Sequence, residues 1–251
     1  MPSDDTGFRS TSERVAAPRV APEAIRDIAP ALADYTDAVL FADVWARPEL
    51  SARDRSLVTI SALTAMGDTP QLRSHLGRGL DNGLTPDEIS AALTHLAFYA
   101  GWPKAMSAVL ATSEVFAQRG LALSHEGETR LDPVAGEEER AQGVATTIAP
   151  IAPNLAAYTN QLLFDEVWRR DDLTPRDRSL VTLSSLISTG AAGQLAYHLG
   201  LARSNGLTRS EAVETATHLA FYAGWPKAMS AVPAIGAAFE GAQTLDDPGS
   251  R

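Results

Sequence analysis

Apolar positions along the chain recur at helical spacing, and the residues between them are those that start and stop helices. Ser51 and Thr174 stand where an N-cap belongs, each followed three residues on by an acid, Asp54 or Asp177, and Pro175 fits the first helical position. The segment that follows, from Arg55 to Leu63, is apolar enough to predict a nearly buried helix. A second helix is expected from about Pro70, ending at Asn82-Gly83. Thr85 with Glu88, and again Thr208 with Glu211, form the pattern of a capping box and open a third helix. Gly101-Trp102-Pro103 interrupts that helix and starts the next, which runs to about Arg119 and stops at Gly120. Alternating β-branched runs joined by two-residue turns are absent. The expectation is an all-α protein.

The same punctuation occurs twice. Thr94 to Val109 reads THLAFYAGWPKAMSAV, and Thr217 to Val232 repeats those sixteen letters 123 positions later. The same offset pairs Arg53–Thr59 with Arg176–Thr182, Trp45 with Trp168 and His75 with His198, without a gap from Ala29 to Val109. A shared offset over that length is a duplication. It predicts two units of about five helices each, residues 23–120 and 148–243. Between them, residues 121–147 are rich in Glu and Gly and are expected to form an exposed linker. Residues 1–22 and 244–251 are expected to be loose tails.

Composition narrows the functional classes. The formal charge is −10, which disfavours a nucleic-acid partner. No apolar run approaches the length that spans a bilayer, so no membrane partner is expected, and without a secretory signal a cytoplasmic location is expected. The chain has no cysteine, which removes disulfides, thiolate metal sites and cysteine nucleophiles together. No HExxH spacing, glycine-rich phosphate loop or nucleophile elbow occurs, so neither a metal nor a cofactor is implied.

Histidine is the remaining candidate for acid–base chemistry. His75 and His198 form one repeat-related pair and His95 and His218 another, while His125 falls in the linker. Gln71 and Gln194 precede His75 and His198 by four residues, on the same helix face, and persist while their neighbours differ between copies. His95, Tyr99 and Trp102 fall at i, i+4 and i+7, as do His218, Tyr222 and Trp225, making an aromatic–polar stripe. The alternative is that these rings are core residues whose polar tips find partners. Arg53, Arg55, Arg176 and Arg178 lie in the first turn of the nearly buried helices. They are suited either to clamping a substrate carboxylate or to pairing with Asp54 and Asp177 at a helix end.

The order VW-x-R-x-x-L-x-x-RDRSLVT, QL-x-x-HL, NGLT-x-x-E and THLAFYAGWPKA resembles the carboxymuconolactone decarboxylase family, in both units. That resemblance implies the helical fold shared with alkyl hydroperoxidase D-like proteins. In the peroxidase branch a C-x-x-C-x-x-x-H motif does the redox work; here its cysteine positions fall on Asp68 and Gln71, or Ala191 and Gln194, and only His75 and His198 remain. The upstream glutamate of that branch falls on Ser56 and Ser179. What is left is similar to the decarboxylase branch, which acts without cofactor on small carboxylated lactones. The resemblance implies proton transfer by the histidines, hydrogen bonding by the glutamines, carboxylate binding by an arginine, and pocket walls of Tyr99, Trp102 and their copies. It leaves isomerisation of a related oxygenated ring as an option. A non-catalytic helical module that binds a small ligand or a partner protein is the reading from a different class. Single-unit members assemble as trimers or as three dimers, so three two-unit chains are expected to form a homotrimer of about 80 kDa, built from 26.6 kDa chains.

Overall fold

The computed structural model describes residues 19–124 and 129–240, so His125 and most of both tails lie outside the described residues. The chain divides into two compact units, residues 1–52 and 53–251. In the first, α1 (Glu23–Ile28) and α2 (Pro30–Tyr35) lead into a π-helical segment, Thr36–Phe41, and a 3-10 turn, Val44–Ala46. Its organising group is Asp37, which accepts the backbone N–H groups of Val20 and Ala21, both at 2.8 Å, and the Arg26 guanidinium at 2.6 Å. These donors hold its carboxyl down at about 2, the hydrogen bond from Arg26 contributing most. Residues 20 and 21, expected to be part of a loose tail, are thus tied to this acid.

The larger unit draws helices from both sequence copies. From the first come α3 (Ala52–Met66, all but its first residue), α4 (Thr69–Asp81), α5 (Pro86–Ala100) and α6 (Trp102–Arg119). The second supplies α8 (Pro153–Ala157), a π-helical segment Tyr158–Phe164, a 3-10 turn Val167–Arg169, and α9 (Pro175–Thr189). It continues through α10 (Ala192–Ser204), α11 (Arg209–Ala223) and α12 (Trp225–Ala238). Among the described residues there is no strand, only an isolated bridge between Arg130 and Arg170. The protein is all-α, as its periodicity predicts.

The stretch expected as an exposed linker is not structureless. It carries α7 (Glu137–Thr147), and it is fastened to the second copy at several points. Leu131 N–H donates to the Arg169 carbonyl at 2.8 Å. Val134 packs on the cluster of Phe164, Trp168 and Leu201, and the Arg140 guanidinium lies 3.9 Å above the Phe164 ring. Single apolar and cationic anchors of this kind leave no periodic signal in a Glu- and Gly-rich sequence.

Helices α3 and α9 are buried on every side, with all residues from Asp54 to Ala65 and from Asp177 to Ser188 out of solvent. Four of their hydroxyls donate one turn back: Thr59 and Ser61 to the carbonyls of Arg55 and Leu57, Thr182 and Ser184 to those of Arg178 and Leu180. The helix starts behave as expected. Thr85 and Thr208 form complete capping boxes, and Thr174 accepts from Asp177 N–H. Lys104 and Lys227, from the two identical blocks, donate to the Ala65 and Ser188 carbonyls and so cap the last turns of α3 and α9. Helix α5 packs on α9, and α11 packs on both α9 and α12, so the copies interleave.

Candidate functional site

The interleaving brings the predicted histidines together across the copies. His95, on α5 of the first copy, points its Nε2 at Thr182 Oγ1 on α9 of the second, 2.7 Å away. Thr182 already donates its own proton to the Arg178 carbonyl, so it accepts here, and His95 carries its hydrogen on Nε2. Nδ1 is then a lone-pair acceptor. It is buried and has no hydrogen-bond partner among the described residues.

Around that ring the second copy builds an aromatic box. Tyr99, one turn along α5, stacks on His95 with centroids 4.9 Å apart, and Trp168 meets it edge-on at 5.1 Å. Trp168 Nε1 donates to Tyr99 Oη at 2.9 Å, which fixes both rings. His198, on α10, lies edge-on to Tyr99 at 5.3 Å and parallel to Trp168 at 6.1 Å. Phe164 stacks on the far face of the box against Trp168, and Tyr197 closes the edge of His198 at 5.0 Å. The cluster reaches the surface on this side, since Tyr197 is 39% exposed and His198 only 7%.

Arg178 adds the positive charge. Its side chain is buried, with Nη2 donating to Asp172, at 3.0 Å, and to the Arg170 and Leu173 carbonyls. Asp172 is shared with Arg170, 2.7 Å from its Nη2. Arg178 Nε, like Nδ1 of His95 and of His198, is buried without a partner among the described residues. Burial holds His198 down at about 4 and His95 well below the usual imidazole range, where the Arg178 and His198 neighbours push in the same direction. Both rings are neutral at ordinary pH.

The repeat-related cluster uses His218, Tyr222 and His75. Tyr222 stacks on His218 at 5.0 Å and meets His75 edge-on at 5.3 Å, and His218 Nε2 bonds Thr59 Oγ1 at 2.8 Å. Burial lowers His75 to about 4, with Arg78 adding to the effect, and lowers His218 to about 3. Here the arginine is engaged differently. Arg55 Nη1 lies 2.8 Å from Glu214 Oε1 and 3.4 Å from His218 Nδ1, with both charged side chains buried. The position matching Glu214 in the first copy is Ala91.

Several sequence-predicted residues stand elsewhere. Arg53 and Arg176 do not face the histidines. Arg53 pairs with Asp177 at 2.7 Å and with Glu88, and Arg176 with Asp54 at 2.8 Å and with Glu211, so both are engaged by carboxylates. Trp102 and Trp225 leave the predicted stripe. The i+7 extrapolation assumes a continuous helix, but Gly101 and Gly224 adopt φ 94°, a backbone that L side chains avoid, and the chain turns there. Each tryptophan is 56% exposed and packs edge-on to Phe98 or Phe221 instead. Gln71 and Gln194 are exposed on the outer side of α4 and α10. Ser56 and Ser179 accept from Asn82 and Asn205, both at 2.9 Å, and thereby fasten the ends of α4 and α10.

Residues that the sequence reading passed over complete the cluster: Trp168, Phe164, Thr182, Tyr197 and Glu214. Trp168 and Thr182 did carry a signal, being retained at the repeat offset. Tyr197 and Glu214 carry the opposite one, since their counterparts are Ser74 and Ala91. Among the described residues, no group of three or more His, Asp or Glu side chains is arranged to hold a metal ion.

The site is thus a buried pair of histidines with an arginine beside it, assembled between tandem helical repeats. The carboxymuconolactone decarboxylase family model matches residues 30–114 and 153–237, and the chain belongs to that family. A 4-carboxymuconolactone decarboxylase of Acinetobacter baylyi is 42% identical over 80 residues, 32% of this chain and 60% of that protein. A nitrosuccinic acid decarboxylase of Metarhizium robertsii is 34% identical over 71 residues, 28% of this chain and 50% of that protein. The chain thus matches about half to three fifths of the length of these curated relatives. Both relatives are named as decarboxylases.

Proposed function

We propose that this chain removes CO2 from a small carboxylic acid whose reacting carbon is activated by a lactone carbonyl or a comparable electron-accepting group. The cluster of His95, Tyr99, Trp168, Arg178 and His198 is assigned to the reaction. One observation carries this reading: two neutral imidazoles and a guanidinium present unpartnered nitrogens inside a buried aromatic box. The names of the two relatives, one acting on a carboxylated lactone and the other on a nitro-substituted acid, support the substrate class.

The chemistry follows from that environment. A carboxylate transferred from water to an apolar box loses solvation that its charge-dispersed transition state needs less. As the bond to the carboxyl carbon breaks, its electron pair moves to the acceptor oxygen, where the Arg178 N–H stabilises the developing charge. CO2 departs, and the carbon takes a proton relayed through an imidazole, which accepts one from solvent on one ring nitrogen as it gives up the proton on the other and so ends neutral. One carboxylate and one proton enter, and CO2 and the protonated product leave. Isomerisation by the same histidines would proceed without CO2 release. Thiol-dependent peroxide turnover is not expected, because the thiolate is the nucleophile in that reaction and the chain has none. We further propose a homotrimer and a cytoplasmic location.

The test is CO2 release from 4-carboxymuconolactone by the purified protein, with the lactone product followed in parallel. His198→Ala and His95→Gln are expected to reduce turnover by roughly 10²- to 10⁴-fold, the usual worth of a positioned acid or base. Full turnover in a folded His95→Gln, His198→Ala double variant would remove this cluster from the mechanism.

A further inference from the structure

The two histidine clusters share a fold, a tyrosine stack and a threonine partner, yet one side chain separates their electrostatics. In the second cluster a carboxylate of the protein sits on the arginine: Glu214 Oε1 is 2.8 Å from Arg55 Nη1, and the two side chains are 2% and 0% exposed. In the first cluster the corresponding position on α5 is Ala91, buried and without charge, and the carboxylate on Arg178 is instead Asp172, 3.0 Å from Nη2 and shared with Arg170. The histidines differ in parallel. In both clusters the threonine hydroxyl donates to a backbone carbonyl, so His95 and His218 each carry hydrogen on Nε2. The Nδ1 lone pair of His218 then faces Arg55 Nη1 at 3.4 Å, whereas that of His95 faces no donor.

We infer that Glu214 is a built-in occupant of the anion position in the second cluster, so that each chain has one site open to an anionic substrate, at His95, Arg178 and His198. A buried carboxylate stays on a buried guanidinium because separating them would leave two buried charges without compensation, and an incoming carboxylate would have to displace it or lie beside it with like charge. Ala91 adds no carboxylate to the first cluster, where Asp172 is held on Nη2 of Arg178. The surroundings diverge as well. His198 has Tyr197 against its edge, and the nearby Trp168 packs with Phe164 and Leu201, while the positions matching Tyr197 and Leu201 in the other cluster are Ser74 and Arg78. Duplication therefore freed one site from the reaction, and Glu214 converts its cationic residue into a structural ion pair.

The inference rests on the proposed reaction for its choice of probe, and its test does not need turnover. The probe is 5-oxotetrahydrofuran-3-carboxylate, a stable carboxylated lactone, titrated calorimetrically into the full-length protein. Wild type is expected to bind one equivalent per chain, Glu214→Ala two, and Arg178→Met none. The alanine is already tolerated at the equivalent position of the other copy. If Glu214→Ala does not fold, Ala91→Glu supplies the converse: it places a carboxylate beside Arg178 and is expected to lower affinity at least 100-fold. Two equal equivalents in wild type, a folded Glu214→Ala that still binds one, or no binding by any variant would each overturn the inference. One equivalent rising to two, in a protein that releases no CO2 from any activated acid, would sustain it while refuting the decarboxylase reading.

Discussion

Arg53 and Asp177, 124 positions apart in sequence, meet at 2.7 Å, and Arg176 and Asp54 meet at 2.8 Å in the reciprocal contact. Each aspartate also sits beside the arginine of its own copy, at 3.1 Å. The arginines are about one-quarter exposed and the aspartates nearly buried. The two copies are therefore cross-linked by charge at the starts of the helices that carry Thr59, Arg55, Thr182 and Arg178.

Asp177→Asn leaves the geometry in place and removes the charge on which Arg53 and Arg176 converge. The expected cost is about 1–3 kcal/mol, less than for a fully buried pair because the arginines retain some solvent. The urea midpoint is expected to fall with an unchanged slope. The same midpoint as wild type in 1 M salt and in low salt would show that this pair contributes no stability.

Stability is expected to depend on pH through the histidines. His75 and His198 titrate at about 4 in the folded chain and His218 at about 3, against an ordinary value of 6.5. Above 6.5 these rings are neutral in both states and stability is at its full value. As pH falls from 6.5 toward 4 the unfolded chain takes up protons that the folded chain does not, so stability declines across that window. His198 alone accounts for about 3 kcal/mol of it. The measurement is Tm between pH 4.5 and 8, and His198→Gln should flatten the acid side. A Tm that is level across that range would contradict the neutral, buried assignment.

Assembly has its own signature. Trp102, Met106 and Leu110 on α6 and Trp225, Met229 and Val232 on α12 are all more than half exposed, as two repeat-related apolar stripes. Apolar stripes of this kind call for cover. Light scattering coupled to size exclusion should give about 80 kDa, three times the 26.6 kDa chain, and Met106→Glu with Met229→Glu should lower it. A mass near 27 or 53 kDa across a tenfold dilution would refute the trimer.

Legibility of the site varied with how local its determinants are. His95 and Tyr99 share one uninterrupted helix, so their spacing placed them together correctly. Trp102 lies just beyond Gly101, and a single positive φ carried it out of the stripe. Arg178 and Arg53 occupy the same first turn of equivalent helices, yet one joins the histidines and the other a carboxylate network. Their sequence context gave no basis for that separation, because direction around a helix buried on all sides depends on what packs against each face.

The sequence by itself determined that the chain is helical, that it is duplicated at an offset of 123, that it has no thiol chemistry, and that His75, His95, His198 and His218 are the residues to watch. Periodicity, caps and repeats are short-range properties, and each is written in adjacent residues. Only the tertiary structure decided that each cluster takes one histidine from each copy, that Trp168 and Thr182 hold His95 in place, and that Glu214 pairs with Arg55 whereas Asp172 pairs with Arg178. Those outcomes depend on which faces of α3, α5, α9 and α11 meet. Burial of apolar area selects that arrangement for the chain as a whole, so no single segment encodes it.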